Sequence, residues 1–449
     1  MFHGKLRRLT LERPSSCDVA IVGAGAAGLA TAIFTRRRAS HQSVLVCEGA
    51  KKPGAKILVS GGSRCNVTNA AVTDVDFWGG RRAIVRRVLR AFPVSDTVAF
   101  FREIGVRLHE EADGKLFPDS NRARDVLDAL LREADKVGAG LLADHRVLDV
   151  TRNASGFGVV TARGDIHARA VVIATGGQSL PKSGSDGAGF EMARRLGHTI
   201  VPTTPGLVPL VLAQDPDPLH GELSGVAHEA ELTVWVDGAA AVRLTGALLW
   251  THFGISGPLA MNVSRHWLAP RIDGRATSLT LNFCPGEQFD KIDARWTAMA
   301  VGRPNASVQS ALATFVPASV AAALLRRLAI DGTTVLAHFT RDQRRRLVHA
   351  LAAWPLPVVG TRGYNYAEVT AGGVALDEID PSTMESRVCP GLFLVGEILN
   401  VDGRIGGFNF QWAWASARVA AAALAEPARE LQKALPRRSP RQDWRSRFH

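Results

Sequence analysis

Cysteine is scarce in this chain of 449 residues: there are five, Cys17, Cys47, Cys65, Cys284 and Cys389, and no C-x-x-C pair among them. An odd, scattered set is neither a disulfide framework nor a zinc site; no metal is expected, and the cysteines suit a reducing cytoplasm. No C-x-x-x-x-C pair offers a redox disulfide either. Long apolar runs are missing. The N-terminus has charge but no apolar core before Cys17, and the nearest candidate for a span, 19–33, is broken by three glycines. No signal peptide, transmembrane helix or stable membrane association is therefore expected, and the expected compartment is the cytoplasm. Lysine is also rare, so the net charge of +12 is carried almost wholly by arginine, a bias that a GC-rich genome would also produce. Without H-E-x-x-H, G-x-S-x-G or P-loop sequences there is no metalloprotease, serine hydrolase or nucleotidase reading. A hydrophobic fraction of 46% excludes a disordered or collagen-like chain, and the length allows two or three domains.

What is present begins at Val19-Ala20-Ile21-Val22, an apolar run suited to a buried parallel strand. Gly23-Ala24-Gly25-Ala26-Ala27-Gly28 follows, then a helical stretch through Arg37. This is G-x-G-x-x-G between a strand and a helix. Gly23 permits the tight turn, Gly25 lets backbone approach a pyrophosphate beside Ala27, and Gly28 allows close helix packing, with the phosphate on the helix N-terminus. A second strand, 43–47, ends at Glu48, near the spacing expected for a carboxylate that holds an adenosine ribose.

The segment after Glu48 is dense in glycine and small polar residues. Its Lys56 through Asn69, K-I-L-V-S-G-G-S-R-C-N-V-T-N, resembles the K-x-x-x-S-G-G-G-R-C-N-x-T-N signature of a bacterial FAD-dependent family that includes BaiN-type bile-acid reductases, YhiN-type proteins and the aminoacetone oxidases. Ser63 departs from it, standing where the family usually has a third glycine. Ala174-Thr175-Gly176-Gly177, Thr251 through Pro258, and the run from Thr370-Ala371-Gly372-Gly373 to Gly406-Gly407-Phe408-Asn409-Phe410-Gln411 resemble the same family, so the likeness covers about residues 17–425.

The resemblance implies an α/β fold: a Rossmann-like FAD-binding domain with a glutathione-reductase-type sheet, interrupted by an inserted substrate domain, mixed β-barrel-like and helical. The expected parts are 17–200, the insert 201–361 (β-rich 201–290, helical 291–352), and the return 362–425. Basic tails at 1–16 and 427–449 carry net charges of +3 and +5. Besides Gly23, Gly25, Ala27, Gly28 and Glu48, the expected FAD contacts are Lys56, Arg64, Cys65, Asn66, Val147, Thr175, Gly176, Gly177, Gly396, Glu397, Asp402, Gly406, Gly407, Phe408 and Asn409. The last of these open an alanine-rich helix whose positive end suits a reduced flavin.

Three side chains are candidates for proton transfer: Cys65, His252 and Tyr366. Each has a plain structural reading beside it, as a small residue packed on the flavin, a hydrogen-bonded histidine and a packing tyrosine. Lacking a second G-x-G-x-x-G, the chain is expected to meet NADH or NADPH only transiently. The expected activity is an FAD-dependent oxidoreductase, a reductase delivering N5 hydride to a polarised C=C bond of an unnamed substrate, small molecule or RNA. The alternatives are a ribosomal RNA dihydrouridine synthase, acting on a uridine C5=C6 bond, and a non-enzymatic flavin-bearing RNA-binding or redox-sensing protein. The run Arg81, Arg82, Arg86, Arg87, Arg90, with no acid between, favours RNA; no obligate protein partner is evident.

Overall fold

The strand Ser16–Val22 has parallel neighbours on both sides, Val44–Glu48 and Gly164–Ile173, and forms the centre of a seven-stranded sheet. Parallel strands are covered on both faces, which is why Val19, Ala20 and Ile21 are apolar in succession and fully buried. Gly140–Ala143 extends the sheet beyond Val44–Glu48, and Leu392–Leu394 returns from far along the chain to pair with Gly164–Ile173. The remaining strands, Val147–Asn153 and Gly156–Thr161, form an antiparallel hairpin at the other edge. This computed structural model describes residues 15–214 and 218–426, so both basic tails, Ser15 and Ser16 apart, lie outside the described residues.

Two helices cover the glycine turns. Ala26–Arg38 follows G-x-G-x-x-G, and Phe408–Leu424 packs against it through small buried residues such as Ala415, Ala417 and Ala420. A side-chain methyl on Gly28 would lie 1.9 Å from the Gly23 carbonyl oxygen, so the helix can approach the turn only without one.

A second seven-stranded sheet, antiparallel throughout, is built from residues 210–361. Trp354–Leu356 pairs with Thr277–Asn282 at one edge, and Val358–Thr361 pairs with Leu210–Leu212 at the other. Only Pro357 separates these two strands, so the sheet curls until its edges are joined by continuous chain, a barrel-like closure. It has its own core, from Leu210 to Leu356, including Trp250 and Trp296. The helices Phe289–Gly302, Val308–Leu312, Ala318–Arg327 and Arg341–Ala352 follow. Val308–Leu312 and Ala318–Arg327 are separate helices, because Pro317 cannot donate an intrahelical hydrogen bond and instead stands at the N-cap of the second. The insert leaves and re-enters beside itself, with Ile200–Gly206 antiparallel to Val369–Val374.

Candidate active site

A cavity of about 430 Å³ opens along the carboxyl ends of the parallel strands, where open α/β sheets bind ligands. At one end Glu48 stands at the tip of its strand. Its two carboxylate oxygens accept the N–H groups of Ala24 and Ala50, each at 2.8 Å, and keep lone pairs for hydroxyl donors. Beside it lies Gly25, where an added methyl would meet nothing within 4 Å, so backbone here faces open space at the start of a 13-residue helix. Three buried oxygens in the wall, Asn66 Oδ1, Ser183 Oγ and Ser185 Oγ, have no protein partner. Such orphans are costly unless a ligand meets them. A dinucleotide fits this wall: acid for ribose, bare glycine and helix end for pyrophosphate, and unspent polar atoms between.

The far end is walled by two glycine-rich segments. After Gly54 the chain makes a short helix and leaves helical geometry at Ser60. Gly61, Gly62, Ser63 and Cys65 all adopt left-handed conformations, Ser63 at φ +67°. For a residue with a side chain that conformation costs about 1–2 kcal/mol. Opposite, Gly406 and Gly407 lead into the N-terminus of Phe408–Leu424, whose positive end faces the cavity.

Charges in the wall are paired with one exception. Lys56 Nζ lies 2.6 Å from Glu397 and donates to Ser179 Oγ at 2.7 Å. Arg64 pairs with Glu111, Lys115 with Asp113, and Arg146 with Asp186. Glu48 has its two backbone donors. Glu368 also lines the cavity, and no described donor hydrogen-bonds its carboxylate. The residue is exposed, and it is part of the cavity wall. Desolvation pushes its carboxyl up, opposed by Lys56.

Fifteen of the expected FAD contacts line this cavity: Gly23, Gly25, Ala27, Glu48, Lys56, Arg64, Asn66, Val147, Thr175, Gly176, Gly396, Glu397, Gly406, Gly407 and Asn409. Gly28, Cys65, Gly177, Asp402 and Phe408 are not in the wall. Gly177 packs under Thr370 and Glu397, and Phe408 packs edge-on against Phe77. None of the three proton-transfer candidates lines the cavity. Cys65 is fully buried behind it, and burial pushes its thiol up to about 12. His252 is exposed at a turn, its ring against Phe253. Tyr366 is 52% exposed, its ring under the Arg362 guanidinium at 3.8 Å. Glu368, Ser183 and Ser185 were not singled out from the sequence; only their places beside glycine-rich family segments could have pointed to them.

Asp402 serves the site from behind. It is 2% exposed and pairs at 2.9 Å with Arg265 of the insert helix Gly257–Ile272. On the same helix Asn262 Oδ1 accepts the Ile405 N–H at 2.9 Å, so the insert braces the turn that carries Gly406 and Gly407. Burial raises Asp402 to about 6, with Arg265 opposing. His266, edge-on to Trp78, is lowered to about 4 by burial and then by Arg265.

Residues 17–423 match the family model described as HI0933-like protein Rossmann domain. A ribosomal RNA dihydrouridine synthase of Escherichia coli (strain K12) is 33% identical over 89% of this chain and 96% of its own. A 3-dehydro-bile acid delta(4,6)-reductase of Clostridium scindens is 32% identical over 91% of this chain and 99% of its own. A ribosomal RNA dihydrouridine synthase of Haemophilus influenzae is 31% identical over 90% of this chain and 97% of its own. The chain belongs to the HI0933-like Rossmann family and is an FAD-dependent oxidoreductase.

Proposed function

We propose that this protein accepts hydride from NADH or NADPH and delivers it, through FAD, to one carbon of a polarised C=C bond. The observation that carries this reading is the far end of the cavity. The positive end of the helix Phe408–Leu424 faces it, which favours the negative charge of a reduced flavin, and no cysteine pair stands there to take the electrons onward. A relative named as a delta(4,6)-reductase supports a C=C acceptor. The test is an anaerobic titration of the FAD-loaded protein with each nicotinamide in turn. Bleaching of the flavin absorbance by one or both is expected; bleaching by dithionite but by neither nicotinamide would remove them as donors.

A second reading has support of its own. Two relatives are named as ribosomal RNA dihydrouridine synthases, and Arg82, Arg87 and Arg90 are exposed along the helix Arg82–Ala91, although Arg86 is paired with Asp74 and Arg81 with Asp377. Here the acceptor is a uridine C5=C6 bond, in a base flipped from its stack or unpaired. Binding of ribosomal RNA fragments at rising salt tests it, with the full chain and with one lacking 1–14 and 427–449. A steep salt slope that survives in part without the ends is expected. No RNA affinity in the shortened chain would end this reading.

A further inference from the structure

We propose that Glu368 is the residue that gives the proton to the substrate carbon next to the one receiving hydride, a role that rests on the C=C reading above. Adding hydride to one carbon of a C=C bond leaves an electron pair on its neighbour, which needs an acid within reach. That acid must face the cavity, and Cys65, His252 and Tyr366 do not. The wall's lysines and arginines are each ion-paired, and every other carboxyl in it is engaged by donors: Glu48 by two backbone N–H groups, Asp186 by Arg146, Glu397 by Lys56. Glu368 is the carboxyl left over.

Its position is fixed from the backbone. The Glu368 N–H donates to the Leu207 carbonyl at 3.1 Å, and the Ser179 hydroxyl lies 3.3 Å from the Glu368 carbonyl. That hydroxyl also donates to Glu397 at 2.9 Å, so Glu368 sits beside the Lys56–Glu397 pair without sharing it. Lys56, whose charge is already matched by Glu397, opposes the upward push that desolvation gives the Glu368 carboxyl.

The step balances. The Glu368 O–H bond breaks and its proton forms a new C–H bond with the carbanionic carbon. The neighbouring carbon receives hydride, the two electrons coming originally from a dihydronicotinamide. The C=C bond becomes a single bond and Glu368 is left as carboxylate, which solvent reprotonates before the next turnover.

The test compares FAD-loaded wild-type protein with Glu368→Gln, an isosteric change whose folding is checked by flavin absorbance, and with Glu368→Asp. Infrared difference spectra at neutral pH, oxidised against dithionite-reduced, are expected to show a carboxylic C=O band in wild type that shifts in D2O and is missing in Glu368→Gln. Reduced protein is then reoxidised by 2-cyclohexenone, which needs a proton on carbon, and by ferricyanide, which needs none. The ratio of the two rates is expected to fall about 100-fold in Glu368→Gln and less in Glu368→Asp. A band that persists in Glu368→Gln, or a ratio within about threefold of wild type, would overturn the proposal. If wild-type protein is reoxidised by ferricyanide but passes nothing to the enone, the C=C reading fails and this role falls with it; transfer in wild type with an unchanged ratio in Glu368→Gln overturns the role alone.

Discussion

Residues in the first glycine turn do different work although the sequence spaces them as one motif. Gly28 has no room for a methyl, which would sit 1.9 Å from a backbone oxygen, whereas Gly25 has nothing within 4 Å. Gly28→Ala should therefore destabilise the fold by about 1–3 kcal/mol, as overpacking does. Gly25→Ala should leave the urea midpoint unchanged and weaken FAD binding, measured by fluorescence quenching, by about tenfold or more. Equal effects on both quantities in the two variants would mean that the two glycines share one role. Ser63 is an exposed, left-handed residue where the family usually has glycine. Relief of its backbone strain, less the entropy glycine adds to the unfolded chain, should make Ser63→Gly more stable by about 0.5–1 kcal/mol in urea unfolding.

Among the elements, the insert helix Gly257–Ile272 links the inserted sheet to the glycine-rich end of the cavity through Asn262, Arg265 and His266. His266 and Asp402 shift in opposite directions, His266 down to about 4 and Asp402 up to about 6. Below its ordinary value His266 takes a proton only in the unfolded chain, so it drains stability as pH falls from 6.5 towards 4. Asp402 does the reverse over 3.8 to about 6, where the folded state binds the extra proton. In wild type the two largely cancel. His266→Gln should leave Asp402 unopposed: relative to wild type, its stability should rise by about 1.4 kcal/mol per unit as pH drops from 6.5 towards 4. Urea midpoints at four pH values check this, and a parallel pair of curves would rule it out.

At the scale of the whole molecule, the cofactor half was legible because its signals are local. Val19 to Gly28 is strand, turn and helix start within ten residues, and Gly406 to Gln411 carries a helix end with its own glycines. What was not legible depends on distant segments meeting. The barrel-like insert was expected from the family resemblance alone; no local pattern marks its closure, which rests on Pro357 lying between two strands that pair with 277–282 and 210–212. Glu368 becomes distinctive only because Lys56 pairs with Glu397, 341 residues away, and leaves it unpaired. Cys65, His252 and Tyr366 were chosen for their chemistry, and the fold carries that chemistry away from the cavity wall. Among the described residues no helix is long and apolar enough to cross a membrane.

Reduced FAD in this cavity should pass its hydride to a C=C bond. This is tested most directly by stopped-flow mixing of the reduced, FAD-loaded protein with a conjugated enone and, separately, with air-saturated buffer. The enone should restore the oxidised flavin spectrum faster than dioxygen does, with one saturated product formed per flavin. Reoxidation by dioxygen alone, or a colourless protein that cannot be reconstituted with FAD, would contradict this.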